Sequence, residues 1–196
     1  PVGTSSPLGS DNIDNCICTP GNTAESDGVM CVECDTGKYK SISGASNCSD
    51  CPIRTSSPLG SDNLDNCICT PGNTAESDGV MCVECEAGEF KSVLGAKKCS
   101  KCPTGTLSPS GSESIENCIC REGYTAVSDG VECEACEVGT YKAVNGTQVC
   151  STCPEGTESV NGSESLENCI CREGYSAMSD GVQCNACDAG TFKDVK

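Results

Sequence analysis

Histidine and tryptophan are absent from this 196-residue chain, phenylalanine occurs twice and tyrosine four times. Without histidine there is no Ser-His-Asp or Cys-His catalysis and no imidazole metal site. Apolar runs are short. A stretch such as Gly28-Val29-Met30-Cys31-Val32 falls far below the ~18–20 residues that cross a bilayer. Basic residues are scarce too, 12 Lys and Arg against 29 Asp and Glu, for a formal charge of −17. That balance argues against nucleic acid as a partner. It suits a soluble surface, a cation atmosphere or a basic partner. Leu, Ile, Val and Phe together make up only about 15% of the residues, a profile that alone reads as disorder. The 22 cysteines reverse the reading, because crosslinks can replace a missing apolar core.

The cysteines recur with one period. Cys16, Cys67, Cys118 and Cys169 are 51 residues apart, and every other cysteine keeps the same step. The unit is C-x-C-x12-C-x2-C-x13-C-x2-C. It divides the chain into repeats 1–51, 52–102, 103–153 and a shorter fourth, 154–196. Both ends are expected to fall within a repeat of a longer array, which makes Cys16 and Cys187 candidates for bridges to cysteines outside these residues. A spacing without insertion or deletion implies that the geometry from one module to the next matters. There are two subtypes. Thr4–Cys34 matches Thr55–Cys85 but for Ile13 against Leu64, and the third and fourth repeats resemble each other.

Within a repeat no helical periodicity is visible, and Gly, Pro, Ser, Asn and Asp punctuate every few residues. Short strands are expected over Lys38-Tyr39-Lys40-Ser41-Ile42 and Asn15-Cys16-Ile17-Cys18. Hairpin turns are expected at Asp27-Gly28, Asp78-Gly79, Asp129-Gly130 and Asp180-Gly181. One aromatic position recurs in every repeat, at Tyr39, Phe90, Tyr141 and Phe192. Packing against a disulfide or a neighbouring module is the preferred reading over ligand stacking.

Three readings of the cysteines compete. Cys31-x2-Cys34-x13-Cys48-x2-Cys51 has zinc-ribbon spacing, but four-thiolate sites leave pairs such as Cys67 and Cys69 without a role. Redox catalysis at C-x-x-C lacks a thioredoxin-like context and a cationic group to activate a thiolate. A structural disulfide framework uses every cysteine. Phased from Cys34, the order Cys34, Cys48, Cys51, Cys67, Cys69, Cys82 resembles an epidermal-growth-factor-like module, with phases 34–82, 85–133 and 136–184. The stretch Cys120-Arg-Glu-Gly-Tyr124, with Asp129-Gly130 and Cys133, matches its closing loop. Cys133-x-x-Cys136, Gly139-Thr-Tyr-Lys142, Cys150-x-x-Cys153-Pro154, Asn168-Cys-Ile-Cys171 and Gly174-Tyr175 together resemble the cysteine-rich repeat of ephrin receptors, found in many extracellular proteins. The resemblance covers the whole chain.

That resemblance implies a small disulfide-rich fold: an elongated tandem array of EGF-like, ephrin-receptor-like modules with short β-hairpins and little helix. It also implies first-to-third, second-to-fourth and fifth-to-sixth pairing. Carried over, this gives Cys34–Cys51, Cys48–Cys67 and Cys69–Cys82. The following modules give Cys85–Cys102, Cys99–Cys118 and Cys120–Cys133, then Cys136–Cys153, Cys150–Cys169 and Cys171–Cys184, with Cys18–Cys31 closing the first. A tumour-necrosis-factor-receptor-like pattern, Cys31–Cys48 with Cys34–Cys51, is the alternative. The first two repeats depart from the family pattern, with Gly21-Asn22 and Gly72-Asn73 where Tyr124 and Tyr175 keep Gly-Tyr. Either the module tolerates the lost tyrosine, or Asn22 and Asn73 face a partner.

No cofactor is expected. The Asp-x-Asn/Asp-Glu signature of calcium-binding modules is absent before Cys31. The pairs Asp11/Asp14 and Glu113/Glu116 read as a solvated acidic loop, with weak calcium binding as the alternative. Sequons for N-linked glycans stand at Asn145, Asn161 and Asn47, the last interrupted by Cys48. Thr4-Ser5-Ser6-Pro7 and Thr55-Ser56-Ser57-Pro58 resemble O-glycan acceptor runs. Leu8 and Leu59 either cover a local core or form lateral contacts between chains. The expected function is non-enzymatic: a secreted or cell-surface structural protein, glycosylated, of a filament or fibril. Its partners would be copies of itself, neighbouring repeats or other extracellular proteins. The alternative is the ligand-binding or adhesive ectodomain or stalk of a receptor or surface antigen. An enzyme would need its catalytic part elsewhere.

Overall fold

The computed structural model describes residues 2–25, 30–76, 81–127, 132–178 and 183–193. Contacts divide the chain into two units. One comprises Pro1–Cys85 with Lys91–Cys99, the other Glu86–Phe90 with Ser100–Lys196.

Within a unit the architecture is a succession of two-stranded antiparallel ladders, none longer than three residue pairs. In the first unit, Thr55–Ser56 pairs with Ile68–Cys69, and Asn73–Ala75 pairs with Cys82–Glu84. Asn22–Ala24 pairs likewise with Cys31–Glu33, and Lys38–Tyr39 with Ser49–Asp50. In the second unit, Glu89–Phe90 pairs with Ser100–Lys101, Thr106–Leu107 with Ile119–Cys120, and Tyr124–Ala126 with Cys133–Ala135. Thr140–Tyr141 pairs with Ser151–Thr152. The array of short hairpins and the disulfide-rich class follow the sequence expectation. The four Asp-Gly turns lie outside the described residues, although the strands that flank them pair as a hairpin requires.

A single 3-10 turn precedes each C-x-C, at Ile13–Asn15, Leu64–Asn66, Ile115–Asn117 and Leu166–Asn168. Polar side chains start it: Asn63 Oδ1 accepts the Asp65 N–H, and Asn66 Oδ1 accepts the Asn63 N–H. Such reciprocal capping is what short Asn- and Ser-rich segments do best. The turn occupies Asn15, where the sequence suggested a strand; Cys16 is extended, and only Ile17–Cys18 of that segment is paired as a strand.

Ten disulfides hold these pieces, each joining a cysteine to the next along the chain. In the first unit they are Cys18–Cys31, Cys34–Cys48, Cys51–Cys67, Cys69–Cys82 and Cys85–Cys99. In the second they are Cys102–Cys118, Cys120–Cys133, Cys136–Cys150, Cys153–Cys169 and Cys171–Cys184. The crossed pairs Cys34–Cys51, Cys48–Cys67, Cys85–Cys102, Cys99–Cys118, Cys136–Cys153 and Cys150–Cys169, implied by the family resemblance, are not formed. Register accounts for the difference. The Cys51 N–H donates to Gly37 O (2.8 Å), which holds Cys51 three residues past Cys34. Cys48 and Cys51 flank a two-residue strand, and an odd offset along a strand sends their side chains to opposite faces. Cys48 meets Cys34, and Cys51 meets Cys67. The receptor-like alternative, Cys31–Cys48 with Cys34–Cys51, is not formed either. Cys16 and Cys187 carry free thiols, both partly exposed.

The core is unusual in composition. Among the described residues, the buried apolar side chains are cysteines alone, with Cys34, Cys85 and Cys136 at 0–1% exposure. The other buried side chains are those of six serines and three lysines, and glycines such as Gly21 and Gly123 are buried beside them. Leu8 and Leu59 are exposed, as are Ile13, Ile17, Leu64 and Ile68. Neither leucine covers a core.

Candidate functional site: a lysine-centred junction

The most structured recurring feature is the place where consecutive bridged loops meet. Lys142 follows the strand Thr140–Tyr141, and its backbone touches two other segments. Its N–H donates to Ser163 O (3.1 Å), and its carbonyl accepts from the Gly123 N–H (2.9 Å). Its side chain turns inward, with 2% of the residue exposed. There Nζ donates to Tyr124 O and Gly146 O, both at 2.6 Å. Lys40 repeats the arrangement with Asn22 O (2.7 Å) and Gly44 O (2.5 Å). Lys91 keeps the first partner, Asn73 O (2.6 Å), but takes Thr70 O (3.4 Å) as its second. Among the described residues no carboxylate bonds to any of the three; the counter-dipoles are backbone carbonyls. Burial pushes the pKa of Lys40, Lys91 and Lys142 below the usual lysine value. Each Nζ keeps two carbonyl partners against that cost.

Buried serines complete the junction. Ser57, Ser108 and Ser159 donate to Lys38 O, Glu89 O and Thr140 O at 2.8, 3.0 and 2.8 Å. Ser61, Ser112 and Ser163 donate to the carbonyl three residues earlier. A glycine is required where two backbones touch. Gly123 has φ +74, and a Cβ there would collide with Gly162 O. The Gly162 N–H in turn donates to Cys136 O (2.8 Å).

The two repeat subtypes differ beside this junction. In the second unit Arg121 stacks on Tyr124 at 4.6 Å and Arg172 on Tyr175 at 4.4 Å, and each guanidinium also donates to the tyrosine hydroxyl. In the first unit Asn22 Nδ2 donates to Thr19 Oγ1 and Pro20 O instead. Asn73 does the same with Thr70 and Pro71. Arg-Glu-Gly-Tyr and Thr-Pro-Gly-Asn are therefore alternative closures of one turn, each self-satisfied except for Asn73 Oδ1, which is buried without a donor. Within the first subtype, the second repeat places Arg54 at φ +64, the only non-glycine residue in that conformation among those described. Its guanidinium pairs with Glu84 at 2.9 Å.

Modification sites lie at graded accessibility. Asn145, Asn161 and Asn47 are exposed. Asn145 Oδ1 accepts the Glu122 N–H (3.1 Å). The sequon residue Ser163 is buried in its turn, and Cys48 is bridged to Cys34. Of the hydroxyls singled out, Ser5 and Ser6 are exposed, and Thr4, Thr55 and Ser56 are half-buried. Ser57 is 4% exposed with its hydroxyl donated, which removes it from the accessible acceptors. Tyr39, Phe90 and Tyr141 are half-buried, while Phe192 is exposed. Asp11, Asp14, Glu113 and Glu116 are exposed, and among the described residues no three metal-ligating side chains converge. Among the described residues, Lys38 pairs with Asp50 and Arg54 with Glu84.

Sequence reasoning missed the lysines and serines of the junction. Their signal was present: Lys40, Lys91, Lys142 and Lys193 recur at the 51-residue step in a chain with only 12 basic residues.

These features define a class: tandem small modules whose interiors are cystines and satisfied polar groups, joined through repeated backbone junctions. The chain belongs to the tyrosine-protein kinase ephrin type A/B receptor-like family, whose model matches residues 21–67, 72–118 and 123–169. It is 43% identical over 61 residues, 31% of its length, to ephrin type-B receptor 2 of Coturnix japonica. Cysteine repeat modular protein A of Toxoplasma gondii is 30% identical over 194 residues, 88% of this chain. A mouse signal peptide, CUB and EGF-like domain-containing protein 3 is 27% identical over 182 residues, 80% of this chain. The chain spans only 6%, 6% and 18% of those proteins' lengths. No helix among the described residues is long and apolar enough to cross a membrane.

Proposed function

We propose that the chain is a non-enzymatic structural segment of an extracellular or cell-surface filament or fibril, secreted and carrying covalent glycans. The observation that carries this reading is the junction itself. An inward lysine bonded to the equivalent carbonyl recurs at Lys40, Lys91 and Lys142, which serves a protein whose product is a repeated geometry. Ten disulfides favour an oxidising compartment. Exposed Asn145 and Asn161 suit N-linked sugars. Partners are copies of the chain or neighbouring repeats, with other extracellular proteins as further contacts. The identity to a receptor supports a second reading, a stalk or adhesive ectodomain. Electron microscopy of native material separates the two. Filaments with a regular axial repeat support the first, and only dispersed molecules bearing a distinct head or membrane anchor support the second.

A further inference from the structure

We propose that the chain acts as a length-limited tether, in which axial load runs through the disulfides and the loops they close stay slack. The argument rests on connectivity. No bridge spans another, and each joins neighbouring cysteines whose Cα atoms are 5.6–5.8 Å apart. When the chain is pulled, the shortest covalent route crosses a bridge and bypasses the loop behind it. Loops of sequence separation 14, 16 and 13 are shielded in this way at Cys34–Cys48, Cys51–Cys67 and Cys69–Cys82. Only the connectors Cys31–Cys34, Cys48–Cys51 and Cys67–Cys69 bear load as peptide. One 51-residue step then reaches about 45 Å at most, from three bridges and roughly eight residue steps, against about 170 Å with its loops open.

The junctions add resistance to bending. Lys40 sits in the loop Cys34–Cys48 but bonds to Asn22 O in the loop before it, and its N–H bonds to Ser61 O in the loop after it. Neighbouring loops are thereby fastened where the covalent connector is only three residues long. The proposal deepens the filament reading and depends on it only for its use; the mechanics belong to a single chain.

Single-molecule pulling of the oxidised chain by its two ends tests it, because filament assembly plays no part. Once the unbridged ends outside Cys18–Cys184 are taut, no lengthening step is expected. A dithiol probe then opens bridges singly. Its thiolate attacks one sulfur and the other leaves as a thiolate that takes up a proton. The probe's second thiol next displaces the first cysteine, so two cysteine thiols form as the probe becomes a cyclic disulfide. Each opening should lengthen the chain by about 40–50 Å, with at most ten such steps. In the variant Cys51→Ser with Cys67→Ser, one step of about 50 Å should appear without any reductant. Steps of 100 Å or more in the oxidised wild-type chain would overturn the proposal, as would reduction that produces no steps.

Discussion

Replacing Lys142 by methionine isolates the junction. Methionine keeps most of the aliphatic stem, so the packing change is small. What disappears is an ammonium that donates to Tyr124 O and Gly146 O, both at 2.6 Å. Two carbonyls in a site where only 2% of the lysine is exposed are left without that donor. Orphaning buried acceptors costs about 1–3 kcal/mol each, and a bond to a charged donor is worth about 1.5–3 kcal/mol. Relief of the ammonium's own desolvation offsets part of this. A net local loss of about 2 kcal/mol results, a roughly 30-fold fall in amide protection at 1.4 kcal/mol per tenfold. The reporters are the Gly146 N–H, bonded to Cys120 O, and the Gly123 N–H, bonded to Lys142 O. The Cys169 N–H, bonded to Leu166 O within its own 3-10 turn, is the internal control. Hydrogen exchange by mass spectrometry or NMR reads all three. Protection at Gly146 and Gly123 within threefold of wild type would refute the idea that the ammonium holds the loops together.

Alkaline titration provides an independent check on these lysines. Their folded pKa lies below the unfolded value of about 10.4, so the unfolded state binds more protons in that window and stability should rise with pH up to it. Amide protection measured with Cys16 and Cys187 blocked, after correction for intrinsic exchange, should increase there; a decrease contradicts burial as the dominant cause. Ser108→Ala removes the bond to Glu89 O from a residue 2% exposed and should cost about 1 kcal/mol in local stability, seen as faster exchange at Gly88. Gly123→Ala combines a left-handed φ with a backbone collision and should cost more than the ~1–2 kcal/mol of the conformation alone. Gel filtration of its oxidised form would show expansion or mispairing. Adding one cysteine before Pro1 should consume the Cys16 thiol, since Cys67 pairs 16 residues upstream with Cys51; peptide mapping of the oxidised chain detects the new bridge, and a free Cys16 would contradict it.

The period, the two subtypes and the hairpins were legible because each is written locally in spacing and turn residues. The pairing of Cys34, Cys48, Cys51 and Cys67 was not. The crossed and sequential patterns close loops of similar length, and their loop-closure entropies differ by only about 0.3 kcal/mol. Ladder register decides between them, and strands of two residues are too short to announce it. The inward lysine was hidden for another reason. A lysine next to an aromatic reads as a solvated strand residue, and only the crossing of three backbone segments supplies carbonyls to hold it. Ser57 reads as an acceptor from its Thr-Ser-Ser-Pro run; Lys38 O, which receives its hydroxyl bond, comes from a different loop.

An interior made of cystine, serine and lysine, with no aliphatic side chain buried among the described residues, has a thermal consequence. Apolar exposure on unfolding is what gives globular proteins a heat-capacity increase of about 12–15 cal/mol/K per residue and a domed stability curve. Here opening a module would wet little apolar and much polar surface, and the retained bridges would keep the opened chain short. The heat capacity should therefore barely change, and stability should vary only gently with temperature. Cold should not loosen such a protein, and warming should do so gradually.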